Sequence, residues 1–195
     1  MTRIKTGKQA RICQGDIFKE TEFIEYAIER KGIVEISRII FPQVVVLTQD
    51  CDLNQDYVVR WAKDRPATQD KKIFSVIVAP LYNFNHFYEG EHLSDLGMTM
   101  ARQKDQGTTG SRYLKQNQIP RYHYLEFPDN IPIVPSVVDF KHYFTVNVEY
   151  LKQHKKTSFI CQLGTLYREE LAQRFSSFLS RIGLPQERKL TTPSR

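Results

Sequence analysis

The sequence predicts a single domain of the α+β class, built mainly from β-strands, and three patterns predict it. VVVLT at 44–48 is an unbroken run of strand formers, which is typical of a buried central strand. EFIEYAIE at 22–29 alternates apolar and polar side chains with the period of two that marks a half-buried strand. Near the carboxyl end, apolar side chains recur at the spacing of one helical face.

The first strands are predicted to form a hairpin. QGDIF at 14–18 leads into the alternating segment, and Lys31 and Gly32 supply a turn before the β-branched run IVEISRII. IFSVIVAPL at 73–81 is the next predicted strand, and it should stop at Pro80 because proline cannot donate to a ladder.

The middle of the chain has a weaker pattern. Residues 54–71 are expected to be a long loop or a helical turn, and Ser94 is expected to cap a helix that runs to about Gln106. QGTTGS at 106–111 is expected to be a flexible exposed loop. RYHYLEF at 121–127 is predicted to be a short strand, and the segment 135–151 should supply core contacts through Val138, Phe140 and Tyr143.

The last element is predicted to be an amphipathic helix that closes the domain. Thr165 is a suitable N-cap, and Gly183 and Pro185 suit its end. Its apolar face consists of Leu171, Phe175, Phe178, Leu179 and Ile182. We expect one domain over 1–195 with its core at about 14–184, a frayed basic arm before it and a polar tail after it.

Charge, hydropathy and cysteine content restrict the partners and the compartment that are expected for this protein. The net charge of +6 favours an anionic partner such as nucleic acid. No apolar run approaches the roughly 20 residues that a bilayer requires, so no membrane partner is expected. Cys13, Cys51 and Cys161 are odd in number and far apart, which argues for a reducing compartment. With no apolar leader at the N-terminus, these observations predict a cytoplasmic protein.

Five segments in order resemble the MazF/PemK family of toxin barrels. They are QGDIF, similar to the family's "GDI" strand; FPQVVVLTQD, similar to "RPALVLS-D"; VIVAPL, similar to "VIVAPLT"; SVVDFKHYFTVNVEYL, similar to "SVVLLDQIRTVDKSRL"; and LGTLYREELAQRFSSFLSRIGL, similar to the closing "G-L---EL" helix. The resemblance spans about 14–184 and implies an SH3-like barrel with a long insertion at about 82–120.

The resemblance also implies a function. Members of the family are often dimers that cleave single-stranded RNA without a metal, so it implies an RNA-binding endoribonuclease of a toxin–antitoxin or phage-defence system, with no cofactor, and a homodimer or a cognate protein partner. The family places a catalytic Arg before the second core strand and a Thr or Ser after the "APL" strand. Here Ile40 and Phe41 occupy the first place, and Tyr82 and Asn83 occupy the second.

Because that pair is missing, two alternatives remain open. One is a non-catalytic subunit that binds another protein. The other is a metal-dependent hydrolase centred on TQDCD at 48–52, where Asp50 and Asp52 flank Cys51 and could act as acid and base or hold a metal. A zinc site would have to recruit His86, His92 or His123 from elsewhere. The plainer interpretation is that the two carboxylates cap loop amides.

Two further sets of residues are candidates for the site. His86 follows the "APL" strand together with Tyr82, at the family's catalytic corner, and could act as an acid or base. The candidate nucleic-acid-binding residues, which interleave cations with aromatic rings, are Arg112, Lys115, Arg121, Tyr122 and Tyr124. The alternative is that the aromatic rings of this stretch belong to the core and its charges to a solvated rim.

Overall fold

A computed structural model describes residues 1–61 and 68–181, with the side chains of 105–109 excepted. The described residues form an α+β domain, as predicted. The strands are β1 (Ile4–Lys5), β2 (Asp16–Arg30), β3 (Ile33–Val46), β4 (Ser75–Asn83), β5 (Tyr122–Leu125), β6 (Ser136–Asp139), β7 (Phe144–Asn147) and β8 (Phe159–Leu163). The helices are α1 (Asp50–Arg60), α2 (Phe84–Glu89), α3 (Gly107–Lys115), α4 (Val148–Ser158) and α5 (Thr165–Leu179).

The strands form one antiparallel sheet that curls into a half-barrel. Its order is β1-β8-β2-β3-β4-β6-β5, and β7 also pairs with β4. The two ends of this order meet, since the Thr2 amide donates to the Glu126 carbonyl at 2.7 Å just past β5. The prediction of a frayed N-terminal arm was therefore wrong, because β1 pairs with β8 through Ile4 opposite Leu163.

The core lies inside the curl and under α5. Val44, Val45 and Val46 of β3 are fully buried, which confirms the predicted central strand. Helix α5 lays Phe175 and Phe178 against Phe140, with ring centroids 5.5 and 5.8 Å apart.

Helix α5 closes this core as the sequence predicts, with two local differences. Its N-cap is Gly164 and not Thr165, and Leu179 is exposed. Outside this helix, Tyr143, which was predicted to be a core contact, is exposed as well. Ile182, Gly183, Pro185 and the polar tail lie outside the described residues. None of the helices within 1–61 and 68–181 has the length and apolar character needed to cross a membrane.

Strands β2 and β3 form the predicted hairpin. Lys31 and Gly32 both have positive φ, at 53° and 77°, which is the geometry of a two-residue type I′ turn. The prediction that Ile24, Tyr26 and Ile28 are half-buried was wrong, because all three are exposed. Beyond Phe18 and Val44, no other strand within 1–61 and 68–181 pairs with the hairpin, so its outer half projects from the sheet.

Strand β4 continues through Pro80, where the sequence predicted an end. The Leu47 amide donates to the Ile77 carbonyl at 2.8 Å, and the alternation of an antiparallel ladder then puts the pair Val44–Pro80 at a position without hydrogen bonds. On its other side, β4 changes partner from β7, which ends opposite Val78, to β6, which begins opposite Leu81. Proline is tolerated because no partner needs its missing donor.

The helices in the middle of the chain do not lie where the sequence predicted them. The helix predicted from Ser94 to Gln106 is two separate 3₁₀ turns, Ser94–Leu96 and Gln103–Gln106, since Gly97 ends the first with φ of 69°. The QGTTGS segment, predicted to be a loop, begins α3. The TQDCDL segment was expected in a loop, and its aspartates lie in the first turn of α1, which occupies part of the stretch predicted to be a loop or helical turn.

Gly90 is required where the insertion folds back on α2. It has φ of 78°, and a methyl group there would lie 2.6 Å from the Met100 carbonyl oxygen. We expect Gly90→Ala to lower the free energy of unfolding, measured by urea denaturation, by about 1–2 kcal/mol for the left-handed backbone and about 1–3 kcal/mol more for the clash. Gly97→Ala is the matched control, because Gly97 has φ of 69° and open space around it. Equal losses in the two variants would contradict this account of Gly90.

Candidate functional site

A cleft of about 460 Å³ opens between the base of the β2–β3 hairpin, the end of β4 and the insertion that follows. Its walls include Ile40, Phe41, Pro80, Tyr82, His86 and His92. Of these, Tyr82 and His86 are residues that the sequence resemblance places at the family's catalytic corner. The cleft therefore brings Tyr82 and His86, both named from the sequence, into one site.

Behind the cleft wall, polar groups from three segments are linked in a row. The Tyr82 hydroxyl is 3.0 Å from Nδ1 of His142, in the 3₁₀ turn Phe140–His142. Nε2 of His142 is 3.7 Å from Oδ2 of Asp139 at the end of β6. Asp139 in turn accepts from Nε of Arg121 at 2.8 Å and from its Nη2. We call Tyr82, His142, Asp139 and Arg121 the tyrosine–histidine row.

Local structure fixes the row. Asp139 caps the 3₁₀ turn by accepting from the Lys141 amide at 2.9 Å, which orients both the carboxylate and the turn that carries His142. β6 pairs with β4 with Val137 opposite Tyr82, so the register of the sheet sets the distance between Tyr82 and this turn. Strand pairing and the capped turn therefore set the positions of Tyr82, Asp139 and His142.

The two members of the row nearest the cleft, Tyr82 and His142, are both uncharged near neutral pH. Burial, with the Asp139 carboxylate adding to it, raises the pKa of the Tyr82 hydroxyl well above its ordinary value. Burial lowers the pKa of His142 although Asp139 opposes that shift. Near neutral pH, Tyr82 therefore keeps its proton and His142 is uncharged. A tyrosine that donates to Nδ1 leaves the imidazole proton on Nε2, facing Asp139.

A second histidine lies beside the row. The His92 ring has its centroid 4.7 Å from that of Tyr82, 4.6 Å from Phe87 and 6.5 Å from His142. Burial and the neighbouring His142 lower the pKa of His92 to about 4. Among the described residues neither of its ring nitrogens has a hydrogen-bond partner. His92 therefore packs against Tyr82 as an uncharged ring near neutral pH.

The aspartates of TQDCD do not line this cleft. Both carboxylate oxygens of Asp50 accept from Arg11, at 3.0 and 2.8 Å, and the Gln14 amide donates to it at 3.1 Å. Arg168 is 3.6 Å away. Although burial opposes the shift, these partners hold the pKa of Asp50 below its ordinary value. Asp50 is therefore an anchor for the N-terminal arm.

The surroundings of Asp50 do not favour the hypothesis that TQDCD binds a metal ion. Two guanidinium groups beside Asp50 repel a divalent cation, and Cys51 and Asp52 are exposed. His123 is buried in the core beside Phe140, where burial lowers its pKa to about 3. Across the residues that the structure describes, no three His, Cys, Asp or Glu side chains are grouped closely enough to hold a metal ion. Metal binding at TQDCD stays a prediction.

His86 is exposed at the rim of the cleft. It lies in the short helix α2, whose first turn is capped by Asn83, since the Asn83 side chain accepts from the amides of Asn85 at 2.8 Å and His86 at 3.4 Å. The cap ties the position of His86 to the end of β4, two residues from the end of the "APL" segment. His86 can therefore meet a ligand that also contacts Tyr82.

The predicted nucleic-acid residues divide into two groups. Arg121 is bound to Asp139 and belongs to the row. Tyr122 and Tyr124 share the β5 face that turns toward α2, where they pack edge-on against Phe87 and Phe84 at 4.9 and 5.4 Å. Both rings are half-buried, so the core interpretation of these aromatic residues holds in part.

The second group forms an aromatic and cationic patch on the insertion. Nζ of Lys115 is 4.8 Å from the Phe84 ring centroid, and Phe84 stacks on Tyr88 at 5.8 Å. Arg112 is exposed one turn before Lys115 on α3. We call Phe84, Tyr88, Arg112 and Lys115 the insertion patch. Its aromatic members, Phe84 and Tyr88, lie on α2, which also carries the cleft residue His86.

Comparison of the chain with protein-family models, with curated proteins and with solved structures finds no match.

Proposed function

We propose that this chain binds single-stranded RNA in the cleft and cleaves its phosphodiester backbone with the tyrosine–histidine row. The observation that carries the proposal is the 3.0 Å contact between the Tyr82 hydroxyl and an uncharged His142 that is backed by Asp139. The resemblance to MazF/PemK proteins supports it, because it puts a catalytic hydroxyl at the end of the "APL" strand, where Tyr82 stands.

The row can remove a proton from the RNA. Tyr82 gives its proton to Nδ1 of His142 as its oxygen takes the proton of a ribose 2′-hydroxyl. The imidazolium that forms is stabilised by Asp139, in the way a carboxylate orients and stabilises a catalytic histidine. The freed 2′-oxygen attacks the adjacent phosphorus and the bond to the 5′-oxygen breaks. The products are a 2′,3′-cyclic phosphate and a 5′-hydroxyl end.

The departing 5′-oxygen needs a proton, and His86 is the candidate acid. It lines the same cleft as Tyr82 and is exposed at its rim, so it can reach the leaving group from the solvent side. Acid and base then stand on two sides of the reacting phosphate, which is the arrangement that in-line attack requires. After the products leave, His142 passes its extra proton through the Tyr82 hydroxyl to water in the cleft and His86 takes a proton from water, which restores both residues for the next turnover.

RNA binding is supported by the insertion patch and by the charge of the chain. Lys115 and Arg112 can contact phosphates, and the exposed parts of Phe84 and Tyr88 offer faces on which unpaired bases stack at about 1–3 kcal/mol each. The net charge of +6 attracts a polyanion. Binding by this route weakens as salt concentration rises, because bound counterions are released from the RNA.

The test is cleavage of end-labelled single-stranded RNA by the purified protein, with and without EDTA. We expect cleavage in EDTA. We also expect Tyr82→Phe to reduce the cleavage rate by about 10²–10⁴, because the substitution removes the hydroxyl that takes the proton from the RNA and leaves the rest of the ring in place. Tyr150→Phe is the matched control, since Tyr150 is an exposed tyrosine on α4, outside the cleft. His86→Ala should slow cleavage, and Asp50→Ala should not when its fold is retained.

Three results would count against the proposal. Absence of cleavage under every condition would leave a binding protein or a subunit. Cleavage that EDTA abolishes and Asp50→Ala removes would move the chemistry to TQDCD. Full activity of Tyr82→Phe would exclude the row as the catalytic group. Circular dichroism of each variant separates loss of chemistry from loss of fold.

A further inference from the structure

A smaller pocket adjoins the cleft and has a mainly apolar lining. Its volume is about 210 Å³, and it shares five wall residues with the cleft, Phe41 and Tyr82 among them. The wall that belongs to this pocket alone includes Phe23, His142 and Phe144. Because Tyr82 and His142 both line it, the pocket lies directly beside the two groups that remove the proton in the proposed reaction. We call it the side pocket.

Packed aromatic rings form one side of the side pocket. Phe41 of β3 stacks on Phe144 of β7 with ring centroids 5.3 Å apart, and Phe23 of β2 contacts the same ring at 5.2 Å. Phe23 is opposite Ile39 in the ladder and Phe41 is two residues further along β3, so the register puts these three side chains on one face of the hairpin. Strand pairing thus fixes the rings before a ligand arrives, which lowers the cost of binding one.

An uncharged, flat ligand suits this lining. Among the described residues that line the side pocket there is no Asp, Glu, Lys or Arg. The polar groups beside the row are already engaged, since the Tyr82 hydroxyl contacts Nδ1 of His142 and Nε2 of His142 faces Asp139. A phosphate would lose its hydration there without gaining a partner. An aromatic ring gives up little hydration over its faces and can pack against the phenylalanines.

The covalent structure of a nucleotide decides which part of the RNA reaches the side pocket. The base is attached to C1′ of the ribose, and the attacking 2′-hydroxyl is attached to the next carbon, C2′. A 2′-hydroxyl that meets the Tyr82 oxygen therefore brings its own base close to Tyr82. The phosphate and the leaving group extend toward His86, which lines the cleft and not the side pocket. The base is then the group that can enter the side pocket.

The lining contacts the faces of a base and leaves its edge to solvent. Leu96, Met98 and Tyr143 are 41, 47 and 43% exposed, so the pocket is open on the side that they form, and the polar edge of a base can stay hydrated there. Without hydrogen bonds to that edge, a preference between bases comes from the strength of stacking. A purine has two fused rings and therefore larger faces than a pyrimidine.

We propose that the side pocket binds the base of the nucleotide whose 2′-oxygen attacks, and that it selects purines over pyrimidines by stacking. The proposal rests on the proposed function, because it takes Tyr82 as the group that meets the 2′-hydroxyl, and it adds a base preference at one position. Leu93, Leu96 and Met98 of the lining belong to the insertion that follows β4. The insertion therefore supplies part of the selectivity.

Cleavage of oligonucleotides that contain a single ribonucleotide tests the selection. Such a strand is otherwise 2′-deoxy and can be cut at one bond only, since one residue alone has a 2′-hydroxyl. The rest of the strand is kept constant, so that contacts with the insertion patch do not change. We expect kcat/KM for adenine and guanine to be about 10-fold above that for cytosine and uracil. We expect it to be about 5–150-fold above that for an abasic ribose, which is the effect of stacking one base.

Met98→Trp is the variant that tests the pocket, because Met98 lines the side pocket and not the cleft, and its exposed position accepts a larger side chain. An indole there should exclude the base and bring the ratio of purine to abasic cleavage close to one. General damage to the fold would slow all substrates alike and leave that ratio unchanged. Leu166→Trp is the matched control, since Leu166 is an exposed leucine on α5 and lines neither the cleft nor the side pocket.

Binding of strands that cannot be cleaved separates this proposal from the proposed function. Fluorescence anisotropy of end-labelled oligodeoxyadenylate and oligodeoxycytidylate should show about 10-fold tighter binding of the purine strand, and Met98→Trp should reduce this difference. A base preference of this kind without any cleavage of RNA would support the side pocket and contradict the catalytic role of the row. Equal cleavage of all single-ribonucleotide strands, the abasic one included, would overturn the side pocket and leave the proposed function standing.

Three other results would also overturn the side pocket. A purine preference that Met98→Trp leaves unchanged would place the base elsewhere in the cleft. Faster cleavage at pyrimidines than at purines would contradict selection by stacking. Failure of the protein to bind or cleave any of these strands would leave the side pocket to an apolar side chain of another protein, and it would overturn the proposed function as well.

Discussion

Lys155→Met should lower the free energy of unfolding by about 3–5 kcal/mol, because it leaves a buried carboxylate without its counter-charge. Lys155 of α4 and Asp16 of β2 are 3 and 2% exposed, and Lys155 Nζ donates to Asp16 Oδ2 at 2.6 Å. Nζ also donates to the Arg11 carbonyl at 2.6 Å, and the Cys13 amide donates to Asp16 at 2.8 Å. Methionine retains most of the volume of the lysine stem and removes the charge.

The loss should depend on pH in a definite direction. Burial raises the pKa of Asp16 above its unfolded value of about 3.9, against the opposing effect of Lys155. A raised pKa means that the favourable contribution of this group is complete below about pH 3.9 and is lost as pH rises through the folded value. Without Lys155 the folded pKa rises further. The difference in stability between the variant and the unaltered chain should therefore be largest near pH 7 and shrink toward pH 4.

Urea denaturation at these two pH values measures both effects, and a second substitution provides the control. Asp16→Asn removes the stranded charge, so the double variant with Lys155→Met should recover part of the stability that Lys155→Met alone loses. A single-variant loss below about 1 kcal/mol, or a loss that grows toward acid pH, would show that the pair is solvated and not buried.

The contact between Lys155 and Asp16 could not be predicted from the sequence. Lys155 stands in the run HKKTS, where its neighbour Lys156 is exposed, and no local pattern separates the two lysines. Asp16 is 139 positions away along the chain. Their contact is set by α4 packing over β2, which is a property of the fold. Local patterns predicted the buried run of β3 and most of the buried face of α5, because each of these patterns is encoded within a single element.

In the candidate site too, some residues could be predicted from a local pattern, and others are brought together only by the fold. Tyr82 and His86 could be named because they follow a recognisable strand. Asp139 and His142 lie three residues apart in SVVDFKHYF, where the same spacing suits an ordinary strand exit. Only the pairing of β4 with β6 brings them to a tyrosine 60 positions away. The prominent TQDCD signal, in contrast, became the anchor of the N-terminal arm, because Arg11 and Arg168 come from both ends of the chain.

His142→Ala should reduce RNA cleavage by about 10²–10⁴, and the double variant with Tyr82→Phe should lose little more than either single variant. The reason is that the two side chains act as one unit: the hydroxyl has no acceptor without Nδ1, and Nδ1 has no route to the RNA without the hydroxyl. Single-turnover cleavage by the four proteins of this cycle measures the coupling. His154→Ala is the matched control, since His154 lies on α4, outside the cleft. Losses that multiply in the double variant would show that Tyr82 and His142 act independently.

The pH profile provides the same test without a substitution in the row. Burial lowers the pKa of His142 from its ordinary value of about 6.5, so the imidazole stays uncharged, and able to accept from Tyr82, to a lower pH than a solvated histidine would. As pH falls through the lowered pKa, Nδ1 takes a proton and can no longer accept one from Tyr82. The acid limb of cleavage at saturating enzyme should therefore lie below pH 6.5, and it should persist in His86→Ala, which lacks the proposed acid. An acid limb centred above 6.5 would require a different base, because the pKa values of His142 and His92 are both lowered from 6.5.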